Sequence, residues 1–469
     1  MKRFLSLFLL ALISAGSILA QTFSTVTGVW ERGKTNTVKM FKIVNGGLSE
    51  VASCALADNG SFNMSFAPKE EGFYVLGLEA TSPLNRYMFY LKPGDPLQVN
   101  VNATSYQLAG KNNTLENQEM ARWHDFIFPL EDNAFYFKGK RTTYVEFFPM
   151  MEEKLAALKT YKVGKTKNKT FEAAFADYRQ FDLLSCALQF VYTPRSAHPQ
   201  DEDFIDYYRQ IDVPALSRNN AALHYPNGLH TLVNAYMTGI KLSTTLSAEE
   251  KQKRQRNYSS SLLSDLDNGV INNETIKGEI VLMFGQSNKT MAGLEQYQKD
   301  YGKYLITDSQ KKRFEQIRER IKLSTIETEP IDFKFADVNG KEVSLSDFRG
   351  KIVYVDIWAT WCGPCKGELP FMKTLEAEYK NNKDIVFMGI SVDASKDIQK
   401  WKNFLEKEQL PGVQLFAGDS AGETLTKPFK IKGIPRFMLV GRDGKLIYMD
   451  AVRPSSSEVR PMLDAALKK

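Results

Sequence analysis

Between residues 25 and 110 apolar and polar positions alternate in short runs, each closed by a turn signal. Phe62, Met64 and Phe66 alternate with Ser61, Asn63 and Ser65, so the apolar side chains share one face of a strand. Leu97, Val99 and Val101 repeat the pattern after Pro93-Gly94-Asp95. Runs at 37–44, 48–57 and 61–67 are divided by Asn45-Gly46-Gly47 and Asp58-Asn59-Gly60, residues that join antiparallel strands into hairpins. Short strands with one apolar face need a second sheet to cover it, which predicts a small β-sandwich.

The period then lengthens. Phe171, Phe175, Tyr178, Phe181, Leu184, Leu188 and Val191 are three or four residues apart, the spacing of one helix face, and such spacing governs 115–323. Pro194, Pro199, Pro214 and Pro226-Asn227-Gly228 punctuate this stretch, and the charged run 251–256 has the composition of a solvated helix face. Residues 324–330 have linker composition. Beyond them, 351–359 is an apolar run interrupted by Asp356, and 385–391 and 436–440 are further apolar runs with helical stretches between. Strands apolar on both faces lie between helices, so a buried mixed α/β sheet is predicted. The expected architecture is multidomain: a leader at 1–20, a β-sandwich at 21–114, an α-helical domain at 115–325 and an α/β domain at 326–469.

Composition narrows the function classes. Of 469 residues, 43% are hydrophobic and 25% charged, ordinary globular usage that argues against wholesale disorder and a multi-span membrane protein. A net charge of +6 is small for this length, and no nucleic-acid partner is expected. At the N-terminus Lys2 and Arg3 precede an apolar run at 4–13 and the small residues Ser14, Ala15, Gly16, Ser17 and Ala20, the pattern of a secretory signal peptide. That run is half the roughly twenty residues a bilayer requires, so no stable membrane insertion is expected. The mature chain, starting at Gln21, is expected in the periplasm or cell envelope, where disulfides persist.

Four cysteines are too few for a disulfide framework, yet two of them are three residues apart. Trp361-Cys362-Gly363-Pro364-Cys365 follows the first buried run and precedes the amphipathic stretch 366–379, so the pair opens a helix. Unpaired N–H groups and the dipole at a helix start favour an anion, which makes Cys362 the expected attacking thiolate. Cys365, on the first turn, is placed to resolve a mixed disulfide, and the chemistry predicted is thiol–disulfide exchange. Asp356 interrupts its strand six residues before Cys362; desolvation there raises a carboxyl pKa and suits it to accept the Cys365 proton. A structural zinc site would want two more ligands at comparable spacing, and covalent haem would want histidine where Lys366 stands. His124, His198, His224 and His230 have no ligand spacing, so no metal is expected. Cys54 and Cys186 lie on apolar faces of separate segments and are expected to remain thiols, while Trp30, Trp123 and Trp401 read as core.

Residues 331–469 resemble the thioredoxin superfamily, and within it the periplasmic TlpA/ResA-like group of cytochrome-c maturation and the AhpC/TSA-like proteins. The resemblance rests on Val355-Asp356-Ile357-Trp358-Ala359-Thr360-Trp361-Cys362-Gly363-Pro364-Cys365, on Pro370 in the following helix and on Gly433-Ile434-Pro435. The stretch 333–349 resembles that group's added hairpin, and 25–110 resembles a domain found ahead of thioredoxin-like domains in bacterial envelope proteins. The resemblance implies a thioredoxin-like fold, a cis Pro435 beside the disulfide, and substrate contacts from Trp361, Gly363, Pro364, Ile434 and Pro435. It matches Asp356 to the buried acid of thioredoxins and Glu368 to the acid the cytochrome-c group uses instead; a chain carrying both departs from either pattern. Glu368 also reads as an exposed first-turn carboxylate favoured by the helix dipole, and Asp356 is expected to matter more because Glu368 is placed to reach solvent. The Gly363-Pro364 pair with Ile434 implies a reductant. The redox-active Cys362–Cys365 disulfide with no further cofactor, disulfide-containing substrate proteins and an upstream membrane or envelope thiol donor complete the expectation. A peroxiredoxin-like antioxidant enzyme fits the broad fold, but Val355 and Ala359 stand where that family has proline and threonine or serine. A partner- or glycan-binding envelope protein with minor redox activity is the remaining alternative.

Overall fold

The computed structural model describes residues 22–31, 35–80, 87–102, 104–135, 142–324 and 332–468; the expected signal peptide and most of the 324–330 linker lie outside them. Contacts divide the chain into two compact units, 1–276 and 277–469. The helical stretch ahead of the linker is thus shared between the units.

In the first unit, β1 (Ser24–Trp30), β2 (Thr37–Val44), β3 (Gly47–Ala55), β4 (Ser61–Phe66), β5 (Gly72–Gly77), β6 (Tyr87–Leu91), β7 (Pro96–Val101) and β8 (Tyr106–Leu108) build two four-stranded sheets. Their orders are β4-β1-β7-β8 and β3-β2-β5-β6. Val26, Met40, Met64, Leu76, Phe89 and Val99 from both sheets meet in one core. The alternation read at Phe62, Met64 and Phe66 is realised, all three facing that core. All of β6 is buried, although it is a sheet edge, because helix α1 (Leu115–Ala134) covers it. Asn117 of α1 closes that edge: its Oδ1 accepts the Tyr90 N–H (2.8 Å) and its Nδ2 donates to the Tyr90 carbonyl (3.0 Å).

Among the described residues the α-helices that follow in this unit are α2 (Tyr144–Leu158), α3 (Lys169–Tyr192), α4 (Asp206–Arg209), α5 (Val213–Leu216), α6 (Gly228–Leu242), α7 (Ala248–Arg256) and α8 (Tyr258–Ser264). The periodic face of α3 is buried at Phe171, Phe175, Tyr178, Phe181, Leu184 and Leu188. Asp182 on the same helix is also buried, accepting from the Trp123 indole (2.8 Å) and the Tyr225 hydroxyl (2.7 Å). By contrast α7, the charged run, buries no residue and is held by a Ser247–Glu250 capping box.

Helix α9 (Glu274–Gly285) starts in the last residues of the first unit and runs into the second, which continues with α10 (Met291–Tyr301) and α11 (Asp308–Ser324). Strands β9 (Lys334–Asp337), β10 (Glu342–Ser344), β11 (Ile352–Trp358), β12 (Ile385–Ser391), β13 (Val413–Phe416), β14 (Arg436–Val440) and β15 (Leu446–Tyr448) form one sheet, ordered β10-β9-β13-β12-β11-β14-β15. The sheet is mixed, as expected: β11 runs parallel to β12 and antiparallel to β14, and β9 with β10 forms the hairpin at one edge. Helices α12 (Gly363–Tyr379), α13 (Ile398–Glu408) and α14 (Val459–Leu467) cover it. Ile352 and Tyr354 of β11 pack with Leu375 of α12 and Leu463 of α14, whereas Val353, Val355 and Ile357 face the opposite core. Period two then puts Asp356 on the α12 side.

Replacing Asn117 by alanine leaves a buried N–H and a buried carbonyl without partners, at about 1–3 kcal/mol each. Asn117→Ala is expected to lower stability by about 3 kcal/mol in thermal unfolding of the full chain. A change within about 0.5 kcal/mol would mean that water satisfies the β6 edge.

Candidate active site

Strand β11 ends at Trp358, and four residues later the chain turns into α12 with Cys362 as its N-cap. The Cys365 N–H donates to Cys362 Sγ (3.1 Å), and the two sulfurs are joined in a disulfide. Pro364 occupies the first turn, where no N–H is needed, and Pro370 lies inside the helix. The turn is fixed from the neighbouring strand: Asp393 accepts from the Thr360 N–H (2.9 Å), the Thr360 hydroxyl (2.8 Å) and the Ser391 hydroxyl (2.7 Å). The Val392 N–H donates to the Trp358 carbonyl (2.9 Å). Sequence reasoning missed Ser391 and Asp393. Their signal was a polar pair closing the apolar run of β12, at the level where Thr360 closes β11.

Cys362 is 4% exposed and Cys365 1%, the order expected for an attacking and a resolving sulfur. Around them Trp361 stands 61% exposed, Gly363 and Pro364 are at the surface, and Trp358 is core. The Ile434–Pro435 bond is cis, and Ile434 packs against the cluster formed by Trp358, Ala359, Cys362 and Cys365. The fold therefore gathers Cys362, Cys365, Trp361 and Ile434 at one end of β11. Cys54, half-buried, and Cys186, buried, form no disulfide.

Asp356 and Glu368 are both enclosed, at 5% and 8% exposure. Glu368 is not the exposed first-turn carboxylate that helix position alone allows, because Ser455 covers it. The Ser455 N–H donates to its Oε2 (3.0 Å) and the Ser455 hydroxyl to its Oε1 (2.9 Å). The two acids therefore differ in partners rather than in access to water. Asp356 Oδ1 has no donor within reach, and burial, reinforced by repulsion from Glu368, pushes its carboxyl up to about 8. Farther along α12, burial pushes the Glu376 carboxyl up to about 7, and its Oε2 is likewise unpartnered. Sequence reasoning did not single out Glu376.

The Redoxin family model matches residues 327–467. The chain is 32% identical over 138 residues to the thiol-disulfide oxidoreductase ResA of Bacillus thuringiensis and, over the same length, to that of Bacillus cereus; each match covers 29% of this chain and 74% of the relative. A solved thioredoxin domain of a thiol-disulfide oxidoreductase from Bacteroides vulgatus is 25% identical, with 29% of this chain and 94% of that one covered, at a TM-score of 0.27. Among the described residues no helix is long and apolar enough to cross a membrane.

An aspartate at its ordinary value of 3.8 when unfolded and at about 8 when folded makes the native state bind the extra proton between those limits. Stability from this group is thus full below about pH 4 and falls as pH rises toward 8. Asp356→Asn removes that loss and is expected to exceed the parent by a few kcal/mol at about pH 8, the gap closing toward pH 4. Urea unfolding of both proteins at the two pH values checks this; a gap that does not change with pH would place the carboxyl at its ordinary value.

Proposed function

Because the chain belongs to the ResA/TlpA-like thiol–disulfide oxidoreductases of the thioredoxin superfamily, we propose that Cys362 and Cys365 carry the exchange and run it as a reductant of protein disulfides. The observation that supports this most is the N-cap position of Cys362, with Cys365 one turn into α12. Cys362 thiolate, favoured by the helix terminus, attacks a substrate disulfide; one substrate sulfur leaves as a thiolate and the other stays bound to Cys362. Asp356 takes the Cys365 proton, and the Cys365 thiolate displaces the second substrate sulfur, closing the Cys362–Cys365 disulfide. Two electrons pass between sulfurs at each turnover, so this reaction calls for no further cofactor.

Trp361, Gly363 and Pro364 at the surface, with Ile434 and Pro435 beside them, form the strip on which an extended substrate segment lies. The reducing direction follows from Gly363-Pro364 and Ile434, which carry no group such as histidine to overstabilise the thiolate. The leader-like N-terminus supports a site of action in the periplasm or cell envelope, in a β-sandwich, helical and thioredoxin-like arrangement. In that compartment an upstream membrane or envelope thiol donor must return electrons to the pair.

Insulin reduction by the full chain tests the assignment. Cys362→Ser is expected to abolish turnover, and Cys365→Ser to accumulate mixed disulfides through Cys362; trapping through Cys365 instead would reverse the roles. Between the two acids, Asp356→Asn is expected to slow resolution about a hundredfold near neutral pH, and Glu368→Gln much less, since both Glu368 oxygens are already engaged. The opposite order would make Glu368 the acceptor.

A further inference from the structure

A small cavity of about 20 Å³ lies between β11, α12, β12 and β13, lined by Asp356, Leu369, Glu376, Phe387, Gly389 and Gln414 among others. Among the described residues, three oxygens on its wall have no donor: Asp356 Oδ1, Glu376 Oε2 and Gln414 Oε1. Buried acceptors in native proteins are satisfied with few exceptions; one water's two O–H groups can serve Glu376 Oε2 and Gln414 Oε1 while the Asp356 carboxyl, in its acid form, donates to the water. The volume suits one water, which needs about 10–15 Å³ and two to four polar partners.

The space follows from the sequence. Gly389 stands opposite Asp356 in the β11–β12 register and opposite Gln414 in the β12–β13 register. A Cβ on Gly389 would lie 2.3 Å from Gln414 Oε1, so only glycine leaves room there for the amide. At Gly412, φ is +73° and a Cβ would come within 2.3 Å of Glu376 Oε1, so a second glycine admits the glutamate. Charged groups facing the space are few. Lys373 on the wall turns its amine to the Glu408 carbonyl and stands 3.7 Å from the Glu408 carboxylate. Glu368 faces Asp356 but is capped by Ser455.

We propose that this cavity is a proton port, in which Asp356 hands its proton through one water to Glu376, and Glu376 exchanges it with solvent. The inference rests on Asp356 being the acceptor of the Cys365 proton, as proposed above. Asp356 is enclosed and needs an exit for each proton it takes, whereas Glu376 is partly exposed with one oxygen turned inward. The step moves a proton only: Asp356 becomes a carboxylate again, the water receives one proton and passes another, and Glu376 releases it to bulk. Burial holds the two carboxyls at about 8 and about 7, so exchange between them is nearly level.

The test is multiple-turnover insulin reduction by the full chain, with excess dithiothreitol re-reducing the Cys362–Cys365 disulfide, in H₂O and D₂O between about pH 6 and pH 9. Glu376→Gln is expected to lower turnover about tenfold near neutral pH and to enlarge the solvent isotope effect, and Glu376→Asp to recover most of the rate. Glu376→Gln within about twofold of the parent across the range, or Glu376→Asp as slow as Glu376→Gln, would overturn the relay. Asp356→Asn separates the two readings: slow Asp356→Asn beside fast Glu376→Gln leaves the acceptor standing and removes the port, whereas unchanged Asp356→Asn removes both. Should Glu376→Gln fail to fold, Gly389→Ala, which fills the space against Gln414, is expected to show the same slow turnover and isotope effect; a parent-like rate would overturn the port.

Discussion

A carboxyl group buried in the middle of a strand, with no cation beside it, constrains the rest of the second unit. Asp356 sits on β11 between Gly389 and Phe437 of the flanking strands, under α12. Desolvation and the repulsion of Glu368 keep it protonated until well above the ordinary range of an aspartate. The role proposed for Cys362 asks for the reverse environment, since a thiolate is stabilised by positive potential and available donors. One helix supplies both: α12 turns its N-terminus toward the sulfurs and lays Leu369 and Met372 along the space beside the acid.

Much of this was legible because the signals were local. Asp356 broke an otherwise apolar run, the cysteine pair stood between a strand and an amphipathic stretch, and Phe62, Met64 and Phe66 announced a strand face by spacing alone. What stayed hidden depends on partners far along the chain. Glu368 is enclosed by Ser455, eighty-seven residues away, and on helix position alone it reads equally well as a surface carboxylate. Asp393 reaches Thr360 across thirty-three residues. Glu376 looked like one more polar residue on an amphipathic helix; only Gly412, in the turn before β13, shows that its carboxyl is turned inward. The linker-like stretch at 324–330 likewise gave no hint that α10 and α11 belong with the unit that follows it.

That grouping bears on the acid pair. Ser455, which holds Glu368, lies in the irregular segment between β15 and α14. The segment is itself held near both ends from the helical stretch that precedes the linker. Lys289 forms an ion pair with Asp450, which also stands 3.7 Å from Arg436, and the Thr290 hydroxyl donates to Glu458 Oε2 (2.9 Å). Thr290 is at the same time the N-cap of α10, accepting from the Gly293 N–H (3.0 Å), so its position is fixed by the start of that helix. Contacts therefore run from the cap of α10 to Glu458, three residues along the backbone from Ser455, and from Ser455 to Glu368, which acts by charge on Asp356. Loosening the 450–458 segment would free the Glu368 carboxylate from its two donors and alter the field that Asp356 feels. In this chain residues ahead of the linker thus hold the segment whose Ser455 engages Glu368, the acid that acts by charge on Asp356.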